Sequence, residues 1–175
     1  MTPAPPPEHA TGAGLVRPAR PEDVPALVAM VHDLARYERE PDAVVNDVAA
    51  MTGALFGPAP AVFALVAEGD GPGGLDGMAV WFVTYSTWTG RHGIWLEDLW
   101  VRPEARRRGL ARALMARLAA EACARGWARL DWSVLDWNEP ARAFYRSLDA
   151  GELDEWTTHR LDGAALARLA SLDRP

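Results

Sequence analysis

One stretch constrains the fold of this chain more than any other. Residues 93–125 run an apolar strand carrying two adjacent acids, Glu97 and Asp98, through Val101-Arg102-Pro103 into a basic turn, Arg106-Arg107-Arg108-Gly109, and on into a helix. Leu110, Leu114 and Leu118 recur at helical spacing, backed by Ala111, Met115 and Ala122, with Arg117, Glu121 and Arg125 expected on the opposite, solvated face. Gly126 suits the end of that helix. Beyond it Leu130, Trp132 and Val134 alternate with Arg129, Asp131 and Ser133, the period of a strand. A strand, helix, strand unit of this length predicts parallel pairing through a right-handed crossover, which sets the chain in the α/β class.

The turn carries chemistry. A helix start leaves backbone N–H groups without intrahelical partners and gathers partial positive charge, so a turn presenting it to solvent binds anions. Gly109 lets the main chain approach a ligand closely. Arg106, Arg107, Arg108 and Arg112 surround it, and the planar fork of arginine matches phosphate oxygens. A pyrophosphate is a natural guest, although a solvated basic helix start has the same short signature.

In a regular strand Glu97 shares a face with Trp95 and Leu99, and Asp98 shares the other with Leu96 and Trp100. The two acids meet in one pocket only if the strand is distorted.

Elsewhere, residues 1–13 are rich in proline, alanine and glycine and read as a disordered tail. Leu15-Val16 form a short strand, and Pro21-Glu22-Asp23 supply a helix start before Val24, Leu27, Val28, Val31 and Leu34. Tyr37 and Glu38 close that helix. A second helix is predicted over residues 44–55, then two strands, 62–68 and 78–85, as an antiparallel hairpin around a glycine-rich turn. The strand over 93–101 is the fourth. After Asn138, a helix over 140–148, a strand over 151–161 and a helix over 164–172 complete one domain, 14–175, with no internal repeat.

Composition narrows the function classes. A chain of 175 residues, 49% hydrophobic and 24% charged, suits one compact domain with a sizeable core. Neither a membrane span nor a signal peptide is visible, so a cytoplasmic protein is expected. The net charge of -6 argues against nucleic acid as the main partner and allows a site that attracts cations. All 18 basic residues are arginine, which weakens arginine abundance as a functional signal, whereas Asn138 is one of only two asparagines and gains weight. Cys123 is expected as a small buried thiol, and His9, His32, His92 and His159 lack metal-ligand spacing, so no metal is expected.

The ordered set Val16-Arg-Pro-Ala, Ala35-Arg-Tyr37-Glu38, Phe56-Gly, Leu65-Val-Ala-Glu, Thr84-Tyr85 with Trp88-x-Gly90, Leu96-Glu97-Asp98, Arg106-x-x-Gly109-x-Ala111, Trp137-Asn138-Glu139-Pro140 and Phe144-Tyr145 resembles the Gcn5-related N-acetyltransferase (GNAT) family, and within it the diamine (spermidine/spermine and thialysine) acetyltransferase branch. Two positions depart from the pattern: Ala111 stands where many members have a second glycine, and Asp149 where a glycine follows the Phe-Tyr helix.

The resemblance implies a mixed, mostly antiparallel sheet of about six or seven strands, helices on both faces, and a splayed fourth strand with a bulge near Asp98 to Trp100. It implies acetyl-CoA as co-substrate, held by Leu99, Trp100, Val101, Arg106, Arg107, Arg108, Gly109, Leu110, Ala111, Arg112, Asn138 and Tyr145. Glu97 becomes the general base, directly or through water, the N–H of Leu99 or Trp100 the donor to the thioester oxygen, and Tyr145 the acid for the departing thiolate. Tyr37, Glu38, Tyr85, Trp88, Glu97, Asp98 and Asp154 line or approach the pocket for a small cationic amine, whose charge carboxylates and ring faces attract. A homodimer is expected as well. A non-catalytic acyl-CoA sensor and a protein N-acetyltransferase are the other readings.

Overall fold

A computed structural model describes residues 9–11 and 14–173. It divides into two compact units, Met1–Ser133 and Val134–Pro175, where the sequence predicts one domain over 14–175. The first unit is built on a six-stranded sheet in sequential order: β1 (His9–Thr11), β2 (Gly14–Pro18), β3 (Phe63–Glu68), β4 (Leu75–Ser86), β5 (Arg91–Val101) and β6 (Leu130–Trp132). All neighbours are antiparallel except β5 and β6, which are parallel. The connection between those two is α3 (Leu110–Ala124), as the strand, helix, strand pattern requires.

Strand alternation divides the sheet between two helical layers. Ala64, Val66, Met78, Val80 and Trp100 face α1 (Val24–Tyr37) and α2 (Val48–Phe56), joining Val24, Leu27, Val28, Met30, Met51 and Leu55 in one buried cluster. The paired residues Leu65 and Ala79 point the other way, toward α3. Gly77, on that same face, lets the neighbouring strand come close: a Cβ there would lie 2.9 Å from the Trp100 carbonyl oxygen.

Both helices of the first layer start from legible signals. Pro21 to Asp23 form a 3₁₀ turn that leads directly into α1. Asp47 caps α2, its side chain accepting from the Ala50 N–H at 2.8 Å. Arg17 on β2 is buried with its charge paired: it donates to Asp23 at 2.6 Å and 3.1 Å and to Glu68 at 2.6 Å.

The structure revises several expectations. His9–Thr11, inside the stretch read as a disordered tail, extends β2 as an edge strand because its backbone completes the ladder with Gly14 to Val16; the remainder of residues 1–13 lies outside the described residues. Arg117 and Glu121 are buried on α3 rather than solvated, since the layer closes over a wider arc of the helix than the leucine stripe. Glu121 there pairs with Arg125 one turn on. Cys123 is exposed, not buried.

In the second unit, α4 (Glu139–Arg146) and α5 (Gly163–Ala170) form as expected. Residues 151–161, predicted as a strand, make no strand, and Leu153, Trp156 and Leu161 stay exposed: alternation supplies a face but no ladder partner. Asp149 follows α4 at φ 60°, the left-handed conformation that a glycine adopts without strain.

Candidate active site

The irregularity in β5 organises the site. The β4 to β5 register pairs Val80 with Asp98 but Trp81 with Leu96, so Glu97 is one residue too many. The bulge therefore sits at Glu97, just ahead of the expected Asp98 to Trp100, and it resets the alternation. Ile94 and Leu96 share a face with Trp81, while Asp98 and Trp100 share the opposite face with Val80 and Met78. Trp95 lies on the same side as Asp98, and its Nε1–H donates to Glu97 at 2.9 Å. Glu97 and Asp98, which a regular strand would separate, are thereby turned to one face.

Glu38, the residue that closes α1, approaches the same place. Burial, then the charge of Glu97, then that of Glu38 push the Asp98 carboxyl up to about 6 from an ordinary 3.8. Burial also raises Glu38. Three carboxylates are thus collected where aromatic rings form the floor: Tyr37 lies 5.7 Å from Trp100, centroid to centroid, and Phe82 stacks on Trp95 at 6.4 Å.

β5 is also splayed. β6 pairs with it only from Ile94 to Leu96, leaving the edge beyond Leu96 open. Arg102 donates its backbone N–H to Asp76 on the β4 side at 2.9 Å. Counting back from it by strand alternation turns the N–H groups of Leu99 and Val101 to the open edge and that of Trp100 into the β4 ladder. Of the two donors expected for a thioester oxygen, Leu99 is the one the register exposes.

The open edge runs into the turn. Gly109 stands at the N-cap of α3 with φ 82° and has no side chain to cap the helix, so the first-turn N–H groups of Leu110 and Ala111 face whatever anion arrives. Arg107 also takes a positive φ, 61°. The arginines are not equivalent. Arg106 donates Nε–H to the Val101 carbonyl at 3.0 Å and lays its guanidinium over the rings of Trp100, at 4.8 Å, and Tyr37, at 5.3 Å. Its side chain braces the turn, each ring contact contributing about 1 kcal/mol. Arg108 points toward Asp76 at 4.0 Å. Arg102, which the sequence reading passed over, fastens the strand end to α1 through Asp33 at 3.2 Å and to the Leu75 carbonyl at 3.0 Å.

Not every expected residue joins this group. Tyr85 pairs with His92 on the α3 face, five residues of β5 away from Glu97, and Trp88 projects from the β4 to β5 turn, 89% exposed. Within one chain they stand apart from the carboxylates. In the second unit, Asn138 is buried at the start of α4, its side chain accepting from the Ala141 N–H at 3.3 Å. Tyr145 lies on α4 beside Phe144, with ring centroids 5.3 Å apart, and Asp154 lies in the exposed segment that follows. Trp95 is the residue the sequence reading missed; its place two positions before Glu97 was the available signal. Among the described residues no group of His, Cys, Asp and Glu side chains could hold a metal ion, and no helix is long and apolar enough to cross a membrane.

A splayed parallel pair thus opens onto an uncapped helix start beside a bulged, acid-bearing strand. The family model described as "Acetyltransferase (GNAT) family" matches residues 27–149. The thialysine N-epsilon-acetyltransferase of Caenorhabditis elegans is 37% identical over 153 residues, 86% of this chain and 92% of its own. That of Sus scrofa is 35% identical over 165 residues, 89% of this chain and 96% of its own. Among solved structures, an integron cassette protein from the mobile metagenome of V. cholerae shares the fold, with a TM-score of 0.72 at 24% identity over 89% of this chain and 96% of that one. The chain belongs to the GNAT acetyltransferase family, in its diamine acetyltransferase branch, and is an acetyl-CoA-dependent N-acetyltransferase.

Proposed function

We propose that the protein transfers the acetyl group of acetyl-CoA to a primary amine of a small cationic acceptor: a diamine, a polyamine or a lysine-like amino acid such as the thialysine for which its relatives are named. The observation that carries this reading is the bulge at Glu97, which gives one face of β5 two carboxylates beside Glu38 and a floor of aromatic rings. Carboxylates and ring faces attract an ammonium group. At neutral pH such an amine, with an ordinary pKa near ~10.4, is almost wholly protonated, so a base must act first. A carboxylate of the Glu97 and Asp98 pair takes that proton, the role expected of Glu97 directly or through water. The Leu99 N–H supports the charge developing on the thioester oxygen, and Tyr145 protonates the departing sulfur. The α3 start holds the diphosphate, with Asn138 assisting.

The same reading makes the protein a cytoplasmic homodimer. Its support is the resemblance together with large hydrophobic side chains left exposed, among them Trp88 on the first unit and Leu166, Leu169 and Leu172 on the second. Light scattering that finds only monomer at assay concentration would refute the dimer.

The test is thiol release from acetyl-CoA across a panel of diamines, polyamines, lysine analogues and aminated antibiotics. Release that depends on the amine, with Tyr145→Phe lowering kcat about 100-fold, is the expected result. Acetyl-CoA binding without amine-dependent release would overturn the reading.

A further inference from the structure

Two neighbouring carboxylates can serve as the base in this site, and their surroundings differ. Glu97 is exposed, and its carboxylate is engaged by the indole N–H of Trp95 at 2.9 Å. Asp98 is partly buried on the face of Trp100 and Val80, and among the described residues no hydrogen-bond donor reaches its carboxylate. The charged and titratable groups near it are Glu97 on β5 and Glu38 at the end of α1, with Tyr37 and the Arg106 guanidinium both against the Trp100 ring. Its strand neighbour and the residue closing α1 are therefore both acids. An acid held this way gains by taking up a proton.

We propose that Asp98, not Glu97, is the catalytic base that removes the proton from the bound ammonium, while Glu97 stays engaged by the Trp95 indole N–H. This rests on the acetyltransferase reading above and concerns only which carboxylate acts. The ammonium gives one proton to Asp98. The freed nitrogen lone pair forms the bond to the acetyl carbon as the carbon–sulfur bond breaks, and its electron pair leaves with sulfur. Sulfur takes the Tyr145 proton, a second nitrogen proton restores Tyr145, and the third stays on the amide. Asp98 returns its proton to solvent, so the net reaction releases one proton. The upward shift of Asp98 to about 6 supports the assignment, because a base works best when its pKa lies near the working pH.

The deciding measurement is kcat/KM against pH from 5 to 9 for the full chain and for Asp98→Asn and Glu97→Gln, using the amine with the highest rate in the panel. Asp98→Asn should lower kcat/KM about 100-fold or more and erase the acidic limb, while Glu97→Gln keeps that limb, shifted to lower pH, and loses about 10-fold or less. The reverse pattern, with Asp98→Asn within about 10-fold and its limb intact while Glu97→Gln is inactive, overturns the proposal. A carbon-13 NMR titration of the Asp98 carboxyl in the unmodified protein gives a second arm independent of any variant's folding. A midpoint near 6 supports the assignment, and one in the ordinary carboxylate range overturns it. Absence of amine-dependent thiol release in the unmodified protein would overturn the acetyltransferase reading itself, and that result precedes any variant.

Discussion

Two groups of acids in the first unit meet opposite fates. Asp23 and Glu68 share the buried guanidinium of Arg17, which donates to both at 2.6 Å. Glu38, Glu97 and Asp98 are gathered with no ion pair to Asp98 among the described residues, and the Arg106 guanidinium lies over two rings with its Nε–H on the Val101 carbonyl. Burial disfavours the charge on Asp23, yet the Arg17 hydrogen bond, the Arg20 N–H and the Arg17 charge outweigh it and hold that carboxyl below its ordinary value. Burial and like charge together hold Asp98 above its own. The first group is complete as folded and serves the fold. The second has no such partner among the described residues, which is the environment that the proposed cationic acceptor would complete.

The contrast can be broken most forcefully at Arg17. Replacing it with alanine leaves Asp23 buried and unpaired and should cost about 3 to 5 kcal/mol in urea unfolding at pH 7; a loss below about 1 kcal/mol would mean that the cluster does not hold the fold. Asp98→Asn should act in the other direction on stability while it damages catalysis. At pH 8 the neutral side chain removes a strained charge and should raise stability by about 1 to 2 kcal/mol. The sign follows from linkage. With a folded pKa near 6 against an ordinary 3.8, the favourable contribution of protonated Asp98 is fully present below the ordinary value and lost as pH rises through the folded one. The gain should therefore vanish at pH 4. For Asp23 the pH dependence reverses: its stabilisation is present above the ordinary value and fades as pH falls through the depressed one. The smallest effect belongs to Glu68→Gln. That side chain is 39% exposed, so solvent screens the pair, and the expected loss is about 0.5 to 1 kcal/mol.

Periodicity and punctuation in the sequence foretold most of the elements, and their limits are equally physical. The leucine stripe of α3 and the parallel β5 to β6 pairing follow from period 3.6 and period 2 patterns. The bulge was expected from the family resemblance but misplaced, because an inserted residue has no composition of its own and shows only as a register shift between two strands. Residues 151–161 alternate like a strand, yet alternation cannot supply the neighbour whose N–H and C=O groups complete a ladder. Asp149 holds a left-handed turn after α4 without being glycine, so the turn persists although its usual residue does not. At the site, the acids were visible in sequence, whereas their different surroundings were not. The Trp95 bond to Glu97 and the diversion of Arg106 onto Tyr37 and Trp100 arise from contacts the chain makes only once folded.

Cys123 is the one cysteine of the chain and lies exposed near the C-terminal end of α3. A maleimide dye would thus attach at a single position on the unaltered protein, about 20 Å along the helix from Gly109. Fluorescence readouts of donor arrival become accessible without mutagenesis, and a reducing buffer guards purified stocks against disulfide-linked pairs that would confuse a measurement of native assembly.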